Sequence, residues 1–225
     1  MTDPALPLNQ LLATHMPPGF IRALLEITPN LYLDAYDTVH NNPVLGKPEA
    51  DYLLGHQRHA LFEAATRNLG VEHGLKIEME QPEKGGCKHV KIIVGPFGLT
   101  ASHIAWPGGF PRISRSREQY ASINEHLSQN QLFPVESNPR NKQIYGIIIH
   151  TEIPGKKNEF HSLSIGFPNH NFTAWVQEPT EFIEILEMQE RLYRKPEDLQ
   201  AQVQKSDPVW KKERKENKTL GEDKR

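Results

Sequence analysis

The sequence predicts an α+β fold: an antiparallel or mixed sheet of about five to six strands, with helices packed against it on one side, and a disordered charged C-terminal tail. Three observations predict it. Apolar residues recur at helical spacing over Pro48–Leu69, the rhythm changes to alternation after Leu75, and the apolar pattern fails from Lys195 onward. The helical and strand blocks lack a regular strand–helix–strand period, which argues against a doubly wound parallel sheet.

The first 48 residues read as proline-broken helices packed on a single domain spanning 1–194. Leu6–His15 and Gly19–Ile27 are the candidates, with Pro17-Pro18 between them and Pro29 after. Asn41–Pro48 is a loop. The strongest helix is Pro48–Leu69. Leu54, Leu61, Ala65 and Leu69 share one arc, with Leu53 and Phe62 at its edges, and Gly70 stands where the chain leaves the helix. Leu75–Met79, His89–Val94 and Leu99–Trp106 then read as a three-stranded antiparallel meander, the first turn falling at Glu83–Gly86.

Glu118–Gln129 is a polar helix with Ser116 as its N-cap. Lys142–Ile153 and Glu159–Phe167 form a hairpin across Pro154–Asn158. On the first arm Tyr145, Ile147, Ile149 and Ile153 point one way, and Ile144, Ile148, His150 and Glu152 the other. On the second arm His161, Leu163, Ile165 and Phe167 share a face. Phe172–Val176 is a further short strand, and Glu181–Arg194 an amphipathic helix. Residues 195–225 are the tail. Lys205–Arg225 holds eight Lys/Arg and five Asp/Glu with few apolar residues, too little to offset its ordering entropy.

Composition narrows the functional classes. A net charge of -2 and a pI near 6.6 give no global field toward nucleic acid or anionic membrane. Cys87 is the only cysteine, so no intrachain disulfide forms. No segment reaches the length of a membrane span and the N-terminus has no basic leader, so the expected location is the cytoplasm. Phosphate-loop, dinucleotide-binding, G-x-S-x-G and C-x-x-C patterns are all absent.

Four groups of residues carry candidate chemistry. His56, His59 and Glu63 lie on one face of the Pro48–Leu69 helix, opposite its apolar arc; two imidazoles and a carboxylate suit a divalent metal or an acid/base pair. His103, His150 and His161 fall on strands, and on one face they would make an acid/base site. Arg112, Arg115 and Arg117 precede a helix and form a candidate anion site, the best local contact for nucleic-acid phosphate. Trp210 is a lone aromatic in the tail and a candidate docking residue for a protein partner. No cofactor is specified.

The order helix, three antiparallel strands, helix, strand resembles in layout the αβββαβ core of the restriction-endonuclease-like nucleases. That resemblance implies a paired carboxylate and a Glu-x-Lys near the end of the meander, with Glu63 as the helix acid. The third strand, Leu99-Thr-Ala-Ser-His-Ile104, carries no such motif, and the chain is not assigned to that family. The expected role is an intracellular, non-enzymatic interaction protein, such as a bacterial toxin–antitoxin or phage-defence accessory. The alternative is a histidine-dependent hydrolase or ribonuclease acting on a phosphate-containing substrate.

Overall fold

The computed structural model describes residues 7–81, 88–128 and 143–193. The described residues divide into two units, the first ending at Leu186 and the second beginning at Glu187. The sheet and both side-chain clusters described below belong to the first. The tail with Trp210, Cys87 and the Glu83–Gly86 turn lie outside the described residues.

The fold is α+β around a six-stranded mixed sheet whose strands lie side by side in chain order. They are β1 (Lys76–Glu80), β2 (His89–Val94), β3 (Phe97–Ile104), β4 (Ile144–Ile153), β5 (Lys156–Pro168) and β6 (Trp175–Glu181). Neighbours pair antiparallel except β3 and β4, which run parallel, with Thr100 beside Ile147 and His103 beside His150. A parallel pair needs a crossover. Here the crossover contains α4 (Arg115–Ala121), a short 3-10 turn (Ser122–Asn124) and α5 (Glu125–Ser128). Asn124 is wholly buried and ties this crossover to β4: its side chain accepts from the Tyr145 N–H at 2.8 Å and donates to the Tyr145 carbonyl at 2.9 Å.

Three helices precede and one follows the sheet: α1 (Leu8–His15), α2 (Pro18–His40), α3 (Lys47–Glu72) and α6 (Phe182–Tyr193). α2 packs on β5 and α3 on β1 to β3, while the two helices also pack on each other. The opposite face is not bare, which corrects the one-sided layering expected above. Tyr145, Ile147 and Ile149 form a core there with Ile104, Tyr120, Ala121 and Phe172. The alternation read along the first hairpin arm separates these residues from His150, which faces α2 and α3.

Several expected boundaries move for physical reasons. Pro29 does not end a helix but lies inside the 23-residue α2. An interior proline costs about 3 kcal/mol. Tyr32, Ala35 and Val39 are buried beyond it, and burial of such side chains at about 1.5–3 kcal/mol for the larger ones outweighs that cost. The N-cap of α4 is Ser114 rather than Ser116; its Oγ accepts from the Arg117 N–H at 3.3 Å. The hairpin turn is only Pro154-Gly155, because Gly155 adopts φ 81°, which a two-residue turn with proline first requires. The last strand is Trp175–Glu181 instead of Phe172–Val176.

The face of α3 also differs from expectation. Ala50, Leu54, Arg58, Phe62, Ala65, Thr66 and Gly70 are its buried residues, whereas Leu53 is 36% exposed. The helix packs on two partners at once. Ala50 and Leu54 meet Ala35 and Val39 of α2, and Phe62 stacks on His150 of the sheet at 4.1 Å between ring centroids. His59 and Glu63, read as opposite the apolar arc, are drawn in against β2.

Candidate functional site

The parallel strands β3 and β4 both point their carboxyl ends toward the same edge of the sheet, and β2, running the other way, begins there at His89. Polar side chains from α3 converge on this end in two separate clusters.

The first is closed. Arg58 sits at a core position of α3, one turn from Leu54 and one from Phe62, and is 3% exposed. A buried guanidinium requires a counter-charge. Glu152 of β4 supplies it by a direct ion pair, and the Lys157 carbonyl accepts a second hydrogen bond. His103 stands 3.3 Å from the guanidinium and 3.6 Å from the Glu152 carboxylate. Its strand neighbour His150 is fully buried and shares a 2.9 Å hydrogen bond, through Nδ1, with the Tyr32 hydroxyl. Burial, reinforced by His103, pushes the His150 imidazole well below its ordinary value, so it is neutral. Burial raises the Tyr32 hydroxyl, against the opposing pull of Arg58. The guanidinium and the carboxylate face each other, while Arg58 Nε and His150 Nε2 are buried without a hydrogen-bond partner among the described residues; the cluster is a folded-state anchor.

The second cluster is open. His59 and Glu63 lie one turn apart on α3 and so share a face. His59 Nε2 is 3.5 Å from Glu63 Oε1, and His89 Nδ1 of β2 is 3.5 Å from the same oxygen. The backbone N–H of Val90 also approaches that oxygen, at 3.4 Å. The two imidazoles are 29% exposed and the carboxylate 14%. Burial lowers the His59 imidazole below its ordinary value, against the pull of Glu63.

His89 forms part of the wall of a cavity of about 190 Å³, together with Thr100, Ser114, Ser116, Arg117 and Tyr120. Arg117 is half-buried. It donates to the Ser102 hydroxyl at 2.9 Å and to the Arg112 carbonyl at 2.7 Å, both neutral acceptors. Among the described residues it has no ion pair. Burial lowers its pKa, opposed by Tyr145 and Glu63, but a guanidinium stays charged at any physiological pH. Lys91, a second cation close to Tyr120, is already held by Glu80 at 2.9 Å. Tyr145, also in the wall, has a hydroxyl pushed up to about 12 by burial and hydrogen-bonded to Thr100 at 2.9 Å.

A larger cavity of about 640 Å³ lies between the α2–α3 loop and the β4–β5 turn. Most of its charges pair within the protein: Lys157 with Asp51 at 2.9 Å, His40 with Asp51 at 3.3 Å, and Lys156 with Glu159 at 3.0 Å, while Lys47 in its wall has no ion pair among the described residues. Unlike the smaller pocket, it has no three-residue ligand cluster at its wall among the described residues.

The residues singled out from sequence separate accordingly. His59 and Glu63 come together, but His56 does not join them; it is exposed and lies against Tyr52. Helical-wheel angle puts His56 near Glu63, yet seven residues of rise separate them by about 10.5 Å. His89 takes the third place. His103 and His150 are adjacent on one face, whereas His161 is exposed. The register passes from Thr151–Ser162 to Glu152–Phe160, so His161 falls in a bulge and turns away. Of the three arginines only Arg117 enters the pocket; Arg112 and Arg115 are exposed.

No protein-family model, curated protein or solved structure matches this chain. Sequence reasoning passed over Arg58, Glu152 and Tyr32. The available signal was Arg58 itself, a charge at a helical position flanked four residues away on either side by Leu54 and Phe62. No helix among the described residues is long and apolar enough to cross a membrane.

Proposed function

We propose that this protein is a hydrolase acting on a phosphate-containing substrate in the pocket between His89 and Arg117. The observation that supports this reading is a half-buried guanidinium that has no ion pair among the described residues, sharing one small cavity with an imidazole backed by a carboxylate and a second imidazole. Hydrolysis at phosphorus needs a water activated for attack and positive charge for the phosphoryl oxygens. The His59–Glu63–His89 cluster serves the first need and Arg117 the second. Water oxygen forms the new P–O bond, the ester P–O bond breaks, and the proton released from water is balanced by one taken up at the leaving oxygen.

The cavity volume limits the substrate. At about 190 Å³ it falls below the roughly 300 Å³ at which pockets begin to enclose a drug-sized ligand. It takes a phosphoryl group and leaves the remainder of the substrate outside. An exposed ester such as an RNA strand or a small phosphate ester fits that description.

The test is hydrolysis of p-nitrophenyl phosphate, bis(p-nitrophenyl) phosphate and a short RNA by the full chain. Arg117→Ala should lower kcat/KM by about a hundredfold or more, the scale seen on removing one donor to a developing oxyanion. Arg112→Ala should leave it within about twofold. The reading fails if none of the three substrates is cleaved, or if both variants behave alike. Docking of a protein partner at Trp210 concerns the tail outside the described residues, and it is a proposal from sequence alone.

A further inference from the structure

We infer that His59, Glu63 and His89 bind one divalent metal ion of the zinc class, and, on the reading just given, that this ion is what activates water at the pocket. The three ligand atoms all lie within 4.8 Å of one another. A tetrahedral ion with bonds of about 2.0–2.1 Å holds its ligands roughly 3.3–3.4 Å apart. Glu63 Oε1 stands 3.5 Å from each imidazole nitrogen, close to that figure, and the two imidazoles offer ligand atoms within 4.8 Å of each other, which side-chain rotation would draw together around an ion.

Both imidazoles approach the same carboxylate oxygen at 3.5 Å, longer than an ordinary hydrogen bond of about 2.7–3.2 Å.

The framework is fixed before any ion arrives. His59 and Glu63 are one turn apart on a 26-residue helix, and His89 opens a strand paired on β1. The neighbouring Val90 N–H approaches the Glu63 carboxylate at 3.4 Å, in the position of the outer hydrogen bonds that orient metal ligands. The donor set selects the ion. Two imidazoles and one carboxylate suit zinc and its neighbours, whereas magnesium prefers a shell of oxygens and retained water. Three protein ligands leave a fourth position open, as reactive zinc sites do, and His89 places the cluster at the wall of the cavity that Arg117 shares.

The experiment is zinc binding to the full chain by competition with a chromophoric chelator, with cobalt as a spectroscopic substitute. Wild type should bind one ion per chain, and cobalt should give the intense visible band of low-coordinate geometry. His59→Ala, His89→Ala and Glu63→Gln should each weaken zinc by at least about a hundredfold, more than loss of an outer partner does. His56→Ala should bind within about threefold of wild type. Zinc should raise the melting temperature of wild type and His56→Ala in a concentration-dependent way, and leave that of folded His89→Ala unmoved. Millimolar magnesium should not displace zinc.

A wild-type stoichiometry near zero would overturn the inference, as would His56→Ala losing zinc as fully as His89→Ala. The two readings separate cleanly. Hydrolysis that persists after removal by chelator sinks the metal and keeps the hydrolase; stoichiometric zinc without hydrolysis of any test substrate does the reverse.

Discussion

Arg58 and His59 are neighbours in sequence on one helix, yet the clusters they serve are opposites. Arg58 points into the core, where Glu152, His103 and the Lys157 carbonyl surround it. His59 points to the rim, where it meets Glu63 and, through the same carboxylate, His89 at the wall of a cavity. The contrast teaches how burial assigns roles to similar side chains. A charge deep in the fold must be answered by the protein itself, because no water reaches it. At the rim the protein can leave a position unfilled, since solvent or a ligand completes it. Both clusters contain two imidazoles and a carboxylate, and composition alone would not separate an anchor from a site.

The largest expected effect tests the closed cluster. Arg58→Ala strands the Glu152 carboxylate and should cost about 3–5 kcal/mol of stability in urea denaturation, the scale for breaking a buried pair. Arg58→Met combined with Glu152→Gln should cost clearly less than Arg58→Ala, because neither partner is then left as a lone charge. A loss below about 1 kcal/mol for Arg58→Ala would show that the pair is solvated and erase the contrast.

Acid should act on the closed cluster next. Burial alone would raise the Glu152 carboxyl, but His103 and the Arg58 guanidinium outweigh it and hold it below its ordinary value. A lowered folded-state pKa means that the unfolded chain binds the proton more tightly. The stabilisation is therefore complete above the ordinary carboxyl value of about 4.3 and is lost as pH falls through the lower folded value. Stability of wild type measured from pH 6 to pH 3 should fall more steeply than that of Glu152→Gln. Parallel curves would remove Glu152 from the explanation.

A smaller stability effect should accompany a large functional one at the rim. His89→Ala removes a partly exposed side chain and should cost less than about 1 kcal/mol, within the usual range for such positions. It should nonetheless abolish phosphoester hydrolysis in the assay described above. If its stability cost matches that of Arg58→Ala, the rim cluster is an anchor as well. The smallest effect belongs to His161→Ala, at the exposed bulge of β5: stability and hydrolysis should both stay at wild-type level.

Much of the architecture was legible because it rests on local rhythm. The two-residue alternation of Tyr145, Ile147 and Ile149 against His150 and Glu152 survives in the folded sheet, since a strand presents alternate side chains to opposite faces whatever packs on them. The antiparallel meander and the change from helical to strand period were readable for the same reason. Pro29 misled because a local cost was weighed without the long-range burial of Tyr32, Ala35 and Val39 that overrides it. His161 misled because a bulge shifts register without marking the sequence.

The sequence by itself determined the α+β class, the strand faces and the pairing of His59 with Glu63 along one helix turn, since each depends on residues a few positions apart. Only the tertiary structure decided that His89 rather than His56 completes the rim cluster, that Arg58 meets Glu152 across 94 positions of chain, and that Arg117 turns inward while Arg112 and Arg115 face solvent. Those contacts are set by which strand lies beside which helix. That choice is made by burial of whole faces, and no local spacing records it.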